Sequence, residues 1–533
     1  MGKKKFRPYD PEARVELPGD LRQYLPRDHQ VFLIEDLVDT LDLTAITSAY
    51  EQGDGRGQPP YHPVLLTKLL VYAYCEGETS SRIIMRKTYE DIAFRVLCVD
   101  QHPDFRTISD FRERHLPAFL ALFKDTVRLA KELGQVRLEQ VAQDGSKILA
   151  NASKHKAMSY ERLGQTEARL GQEITDLLEH ARATDAAEDA RYGRDGSGAE
   201  GPVSAQREVD FRQARRARIR AAQVALEARA AAEAAAQTPV DPAPPSPHLR
   251  VPTPPPADAP APAPASPPRL ALVPVPPAAA PADQASAPPA VVPAPGAQYN
   301  FTDDESRIMP SKDGFVQAYN GQVGVDSYRQ IIVACEVTVE CTDPRQLQPL
   351  LDQVRRNTGD LPGTYSADSG YWSEENVAAL EQRGIDAFIP PPRPRRRKDG
   401  TITTTPPTPA KARMQEKLAT PQGKRTYSLR KETAEPVFGQ LKDGRGLRRF
   451  RTRGLAKVRG EWALWCLTHN LRKLVGVLRD QRRAGSYPAS SGARNRRWTA
   501  LQTAWRACLR RGTPVSGRDA RWRDAALFTQ TGS

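Results

Sequence analysis

Three acids in this chain have the residue type and the setting that metal-assisted chemistry on phosphodiesters needs. Asp144 closes a β-type run in VAQDGSKI, Asp368 closes another in GTYSADSGYWS, and Glu435 lies in YSLRKETAEPVFGQLK. Carboxylates at the carboxyl ends of sheet strands face the crevice where α/β sheets bind ligands. Mg²⁺ takes hard oxygen donors, so Asp and Glu suit it where Cys and His do not. Two such ions about 3.5–4 Å apart can activate a nucleophile and steady a leaving oxygen. Each acid also has a plainer reading. Asp144-Gly145 is a common hairpin turn, and Asp368-Ser369-Gly370 makes an ordinary loop.

The third stretch holds two acids, Glu432 and Glu435. At about 100° per residue, a helix over 427–442 gathers Ala434, Val437, Phe438 and Leu441 into one apolar stripe. Glu435 falls at the edge of that stripe, beside whatever the helix packs on, and Glu432 points to solvent. Pro436 complicates the angle, because proline disfavours helix at the preceding residue and removes a helical hydrogen bond. Either the helix kinks there or it starts at Pro436, and both put Glu435 near a helix start. A salt bridge from Glu435 to Lys431 is the structural alternative.

Other chemistry-bearing residues read as structural. Trp462, Trp465, Cys466 and His469 recur at helical spacing in GEWALWCLTHNLRKL and form a buried face. Glu461, beside Arg459 in sequence, reads as a paired surface charge, and Asp303 and Asp304 as turn residues. None of the six cysteines forms a C-x-x-C pair, which argues against a zinc site or a disulfide framework and fits a reducing cytoplasm. No apolar run approaches the roughly 20 residues that span a bilayer. MGKKKFRPYD carries no apolar stretch after its basic residues, so it does not read as a signal peptide.

The elements that must position these residues follow from patterning. Residues 30–135 are helical, with Thr107 and Ser109 as cap-type residues and Arg106, Arg112 and Arg114 near the start of the last helix. Short helices with basic ends suit a helix-turn-helix-like DNA reader, and equally an ordinary helical bundle. A strand ends at Asp144. Residues 154–237 are helical but poor in large apolar residues, so they are exposed or coiled against a partner helix. Between Pro239 and Pro295 lie 22 of the 47 prolines, a composition that favours an extended spacer. Then FVQAYNGQVGVD and QIIVACEVTVEC form a hairpin. A helix (DPRQLQPLLDQVRRNTG), a strand (GTYSAD), a helix (SEENVAALEQRG) and a strand (DAFIPP) follow. This order is α/β: a mixed sheet flanked by helices, split by a helical and proline-rich insertion. The domain reading is a helical region 1–135, a first core strand in 136–153, a helical insertion 154–237, a spacer 238–297, the rest of the core 298–480, and a basic tail 481–533.

Charge is uneven. The chain carries a formal +14, and from Asp443 to Ser533 there are 21 Lys and Arg against 5 Asp and Glu. A local excess of that kind points to a polyanion, most commonly nucleic acid, or else to a solvated basic tail.

Several of these blocks together resemble the bacterial insertion-sequence transposases of the DDE type. PYHPVLLTKLLVYAYCEGETSSRII and HPDFRTISDFRERH are similar to the family's N-terminal helical domain. VAQDGSKILANAS and YSADSGYWSEENVAAL resemble its two aspartate blocks, and FTDDESRIMPSKDGFVQAYNGQVGVD the segment before the second and third strands. YSLRKETAEPVFGQLKDGRGLRRFRTRG, with EWALWCLTHNLRKL, resembles the glutamate block with its tyrosine–arginine–glutamate–lysine signature, here Tyr427, Arg430, Glu435 and Lys442. The signature often has three residues between Arg and Glu; here there are four, so Lys431 replaces or joins Arg430. The resemblance implies a ribonuclease-H-like core, with Asp144, Asp368 and Glu435 holding two Mg²⁺ ions that Mn²⁺ can replace. It implies cleavage at the element's terminal repeats and strand transfer into target DNA, in a homo-oligomer assembled on double-stranded DNA. Arg112 in the helical N-terminal domain, and Tyr427, Arg430, Lys431, Lys442, Arg448 and Arg449 further on, would contact DNA, and the protein would sit in the bacterial cytoplasm at the nucleoid. A catalytically inactive, transposase-derived DNA-binding protein is the alternative.

Overall fold

The computed structural model describes residues 19–51, 59–192, 201–237, 291–311, 314–393 and 408–483. The expected 1–18 segment, nearly all of the proline-rich spacer, part of the basic loop after residue 393 and the tail beyond residue 483 lie outside the described residues.

The helical start of the chain is α1 (Gln30–Thr40), α2 (Thr44–Glu51), α3 (Pro63–Cys75), α4 (Ser81–Glu90), α5 (Ile92–Cys98) and α6 (Phe105–Glu132). The cap of α6 is Asp104, which accepts from the backbone N–H groups of Arg106 and Thr107. Thr107 and Ser109, expected at the cap, lie inside the first turns. Asp104 wins because its carboxylate reaches two unpaired donors at once and also faces the positive end of the helix dipole.

The sheet is built from β1 (Gln140–Leu149), β4 (Arg307–Ser311), β5 (Gly314–Asp326), β6 (Ile332–Thr338), β7 (Thr364–Ser366) and β8 (Asp386–Phe388). β1 is central: it runs antiparallel to β5 and parallel to β7, which pairs in parallel with β8. β4 and β6 both pair antiparallel with the long β5, at its two ends. So β5 alone opposes the direction of the others, and the sheet is mixed, as expected. β4 was not expected as a strand. Helices α9 (Leu347–Thr358), α10 (Glu374–Gln382), α11 (Pro409–Ala419), α12 (Pro421–Lys442) and α13 (Leu455–Arg483) complete this part of the chain. α13 packs along α6, α3 and β6, so the N-terminal helices and the sheet share one continuous apolar core. Trp462 and Trp465 are buried in it, with His469 and Cys466, as their spacing predicts.

Residues 157–301 form a separate compact unit. There α7 (Tyr160–Tyr192) and α8 (Gly201–Gln237) run antiparallel, with Leu163, Leu170, Ile219, Ala222 and Leu226 buried between them. Arg216 and Arg220 both reach Glu167, at 2.7 and 2.8 Å. Strands β2 (Ala157–Ser159) and β3 (Gln298–Asn300) pair antiparallel at the base of this unit. The paired helices bury a small seam of their own, enough for a two-helix hairpin closed by a two-stranded ribbon.

Three expectations are corrected. Asp144 does not end its strand: β1 continues to Leu149, because Gly145 to Leu149 stay paired with Gln322 to Ala318 of β5. Relative to β7 alone the reading holds, since that ladder stops at Ala142 opposite Ser366 and Asp144 lies two residues beyond. Glu461 is not a surface charge. It is fully buried and accepts from the backbone N–H groups of Arg451 and Thr452 and from the Thr452 hydroxyl, while Arg459 pairs with Glu336 instead.

The third concerns Pro436. α12 neither starts there nor breaks there; it runs unbroken from Pro421 to Lys442. Proline removes the N–H that would bond the carbonyl of Glu432, four residues back. That carbonyl instead accepts from the side-chain amide of Gln330 at 2.8 Å. Gln330 sits in the loop after β5 with a left-handed backbone (φ 57°), and it also accepts from Lys473 of α13 at 2.7 Å. A side chain about a hundred positions away thus repairs the helix that carries Glu435. Replacing it should leave the Glu432 carbonyl unpaired: Gln330→Ala is expected to lower unfolding stability by about 1–2 kcal/mol. The double variant with Pro436→Ala, which returns an N–H to the helix, should regain most of that loss in urea unfolding. Equal loss in both variants would show that the amide does not serve this carbonyl.

Candidate active site

β1 carries Asp144 in the middle of the sheet. Its neighbour Gly145 is required by close approach: a Cβ there would press on the Gln322 side chain and come within 3.0 Å of the Tyr371 hydroxyl. Tyr371 donates to Gln322, which in turn donates to Asp343 at 2.8 Å, so the strand faces a packed polar network. Parallel pairing brings the end of β7 alongside Asp144, and Asp368 follows two residues after β7. One oxygen of Asp368 accepts from Gly370 N–H at 2.8 Å and caps the single turn Ser369–Tyr371.

α12 brings the third acid. Ala434, Val437, Phe438 and Leu441 are buried, and Glu432 is exposed, as the helical angle predicts. Glu435 is half exposed and does not pair with Lys431, the alternative its spacing allowed. It meets Arg430, whose Nη2 lies 3.4 Å from Glu435 Oε1. The other guanidinium nitrogen, Nη1, lies 3.6 Å from Asp144 Oδ2. Arg430 is 7% exposed, and its Nε has no hydrogen-bond partner. One buried cation therefore stands between an acid of the central strand and an acid of the helix.

The electrostatics follow. Burial pushes the Asp144 carboxyl up to about 6, against the pull of Arg430 and a hydrogen bond from Gly145 N–H, while the charges of Asp368 and Glu435 push it further up. Burial would make the Arg430 guanidinium easier to deprotonate, but Asp144, Tyr427 and Asp368 outweigh it and raise its value. Tyr427 lies with its ring 5.8 Å from the Arg430 guanidinium, and its hydroxyl is raised chiefly by burial. Tyr371 is raised by burial and then by Asp343, Asp144 and Asp368. The charges of Asp368 and Glu435 thus both bear on Asp144, and Tyr371 also feels a fourth acid, Asp343. The sequence did not single this residue out, because it sits just before a helix-starting proline and reads as a plain turn.

Whether the group fits a divalent cation divides into chemistry and spacing. The donors are hard carboxylate oxygens with no thiol or imidazole among them, which fits Mg²⁺ or Mn²⁺. In this arrangement, among the described residues, no three His, Cys, Asp or Glu side chains converge closely enough to hold a metal ion. The Arg430 guanidinium lies in contact with two of the acids instead.

The expected DNA contacts have varied placements. Lys442 donates to the Ser146 hydroxyl and, at 3.2 Å, to the Lys147 carbonyl, so it lies over β1 two residues past Asp144. Lys431, Arg448 and Arg449 are exposed, and Arg448 pairs with Asp443. Arg112 departs from expectation. It is buried, and it donates to the Thr79 carbonyl at 2.7 Å and the Tyr74 hydroxyl at 3.4 Å, so its guanidinium ties helices together inside the fold.

Two family models match the chain: a transposase domain (DUF772) over residues 19–114 and a transposase DDE domain over residues 393–475. Together they support an insertion-sequence DDE transposase. The first covers the helices that begin the chain, and the second covers α11 and α12, most of α13, and with them Arg430 and Glu435. No curated protein and no solved structure matches the chain. No helix among the described residues is long and apolar enough to cross a membrane.

The bridge makes a prediction. Asp144 holds its proton more tightly folded than unfolded, so its ionised form costs stability, and that cost appears as pH rises through roughly 4 to 6. Arg430 offsets the cost. Arg430→Met is expected to destabilise by about 2–4 kcal/mol at pH 8 and by clearly less at pH 5. Adding Asp144→Asn should remove most of the pH 8 loss. Additive losses in chemical denaturation would mean that the two groups are not coupled.

Proposed function

We propose that this insertion-sequence DDE transposase cuts DNA phosphodiesters at the ends of its element and joins the freed 3′-hydroxyl to target DNA. The observation that carries the reading is the convergence of Asp144 and Glu435, from a central strand and a helix, on one buried cation, with the charge of Asp368 also bearing on Asp144. A sheet whose central strand is flanked by one antiparallel and one parallel neighbour, and whose remaining strands run with it, supports a ribonuclease-H-like core.

In this reading Asp144, Asp368 and Glu435 would hold Mg²⁺, or Mn²⁺ in its place. The chemistry such ions supply is activation of an attacking hydroxyl and stabilisation of the leaving oxygen. The chain's own groups do the rest. Asp144 is paired with Val323 of β5, two residues past the end of the β1–β7 ladder, so its backbone is fixed in the sheet. Arg430 holds Asp144 and Glu435 near each other through its two terminal guanidinium nitrogens. Lys442 and Tyr427 flank the group and contact the phosphate backbone near the scissile bond, and Lys431, Arg448 and Arg449 add salt-dependent phosphate contacts. The runner-up is a transposase-derived DNA-binding protein without catalysis, favoured by the Arg430 contact with two of the acids.

The test is cleavage of labelled terminal-repeat DNA by the full chain, with and without Mg²⁺. Asp144→Asn and Glu435→Gln should each slow cleavage about a thousandfold, equivalent to ~4 kcal/mol of transition-state stabilisation, with DNA binding retained. Undiminished cleavage in Asp144→Asn would overturn its role. Binding without any cleavage by the unaltered chain would favour the runner-up.

A further inference from the structure

A second cluster of charge lies where α12 ends against α13. A cavity of about 300 Å³ opens there, lined by Gln440, Gly444, Arg445, His469, Arg472 and Lys473. Arg445 and His469 are buried and form its floor, while Arg472 and Gln440 are exposed at its rim. Three basic side chains, Arg445, Arg472 and Lys473, thus surround one small hollow.

None of them has an acid as partner. Arg445 donates to the Tyr74 carbonyl (3.3 Å), the Thr468 hydroxyl (2.8 Å) and the Trp465 carbonyl (3.3 Å). Arg472 donates to the Cys75 carbonyl, and Lys473 to the side-chain oxygen of Gln330. Every one of these acceptors is neutral, and among the described residues none of the three cations forms an ion pair. Buried charges are ordinarily paired, because desolvation without a counter-charge is costly. Here the cost of burial is visible in the groups themselves. Burial chiefly, opposed by Cys75 and aided by Arg472, lowers Arg445 to about 10, and burial, then Arg445, lowers His469 to about 3. His469 is therefore a neutral ring that donates to the Gln330 carbonyl at 2.9 Å. The fold holds a positive cavity in place with neutral tethers and leaves its charge unanswered.

We propose that this cavity is an anion site that takes a phosphate-class oxyanion, with Arg472 and Lys473 as its reachable donors and Arg445 as the fixed charge beneath. Charge-assisted hydrogen bonds from Arg and Lys to phosphate oxygens are the strong kind, and the guanidinium fork suits tetrahedral oxyanions. The anion would be a backbone phosphate of bound DNA or a free inorganic anion. The first source rests on the transposase reading, and the second is independent of it.

The probe is inorganic phosphate, titrated against the thermal melting of the full chain, with chloride at matched ionic strength as reference. The unaltered chain should be stabilised by phosphate beyond chloride. Arg472→Gln and Lys473→Gln, both at the accessible side of the cavity, should each weaken the apparent phosphate affinity about tenfold. Adding a short DNA duplex distinguishes the sources. If duplex abolishes the phosphate effect in the unaltered chain, the site holds a backbone phosphate, and each variant should then reduce the salt slope of DNA binding by about one. If the phosphate effect persists beside bound duplex, the site holds a free anion. No stabilisation beyond chloride, or unaltered phosphate affinity in both variants, would overturn the proposal. Those outcomes are separate from failure of cleavage, which tests the acid group alone.

Discussion

A carboxylate on the central strand of a sheet has to be neutralised. Asp144 is largely buried, and burial alone raises the cost of its charge by lifting its proton affinity towards neutral pH. Arg430 answers that cost from the facing helix, and in reaching Asp144 it also meets Glu435. The buried stripe of Ala434, Val437, Phe438 and Leu441 turns one face of α12 inward, and Arg430 offsets the acid charge where that helix meets β1. An arginine suits the task because its planar fork bridges two acids with separate nitrogens and does not deprotonate under their influence.

The helix can deliver Arg430 and Glu435 together only if it stays straight through Pro436. The loop after β5 supplies the missing hydrogen-bond donor through Gln330, and that same side chain is held by Lys473 of α13. α13 in turn is bound into the sheet by Asn470, which bonds both backbone groups of Ile332, and by the Trp462 N–H on the Gln322 carbonyl. The site therefore depends on a chain of contacts from β1 through α12 and the β5–β6 loop to α13. The positive cavity lies at the far end of that chain, so anything bound there touches the element that keeps the helix whole.

Much of this was legible in the sequence because local periodicity carried it. The apolar stripe of α12 separated Glu435 from Glu432, and the helical spacing of Trp462, Trp465 and His469 marked a buried face. What was not legible depends on partners distant in sequence. Asp144-Gly145-Ser146 looks like a turn, and only pairing with Gln322 to Ala318 extends it as strand. Pro436 looks like a helix break, and Gln330 lies too far away in sequence to be suspected as its remedy. Glu461 looked like a surface acid because Arg459 is near it in sequence, whereas its true partners are backbone donors nine and ten residues earlier. Arg112 looked like a DNA contact because it follows a basic helix start, yet its guanidinium is spent on Thr79 and Tyr74. Arg445, Arg472 and Lys473 stood only within the basic excess after Asp443, since nothing in their spacing says that two segments close around one hollow.

The central claim is that acids from β1, from the turn after β7 and from α12 can share a cation. The most direct test is anomalous scattering from crystals of the full chain grown with Mn²⁺ and terminal-repeat DNA. The account predicts a manganese peak bonded to carboxylate oxygens of Asp144, Asp368 and Glu435, with the Arg430 guanidinium moved off Asp144 or Glu435. Manganese bound elsewhere, with Arg430 still bridging both acids, would contradict it.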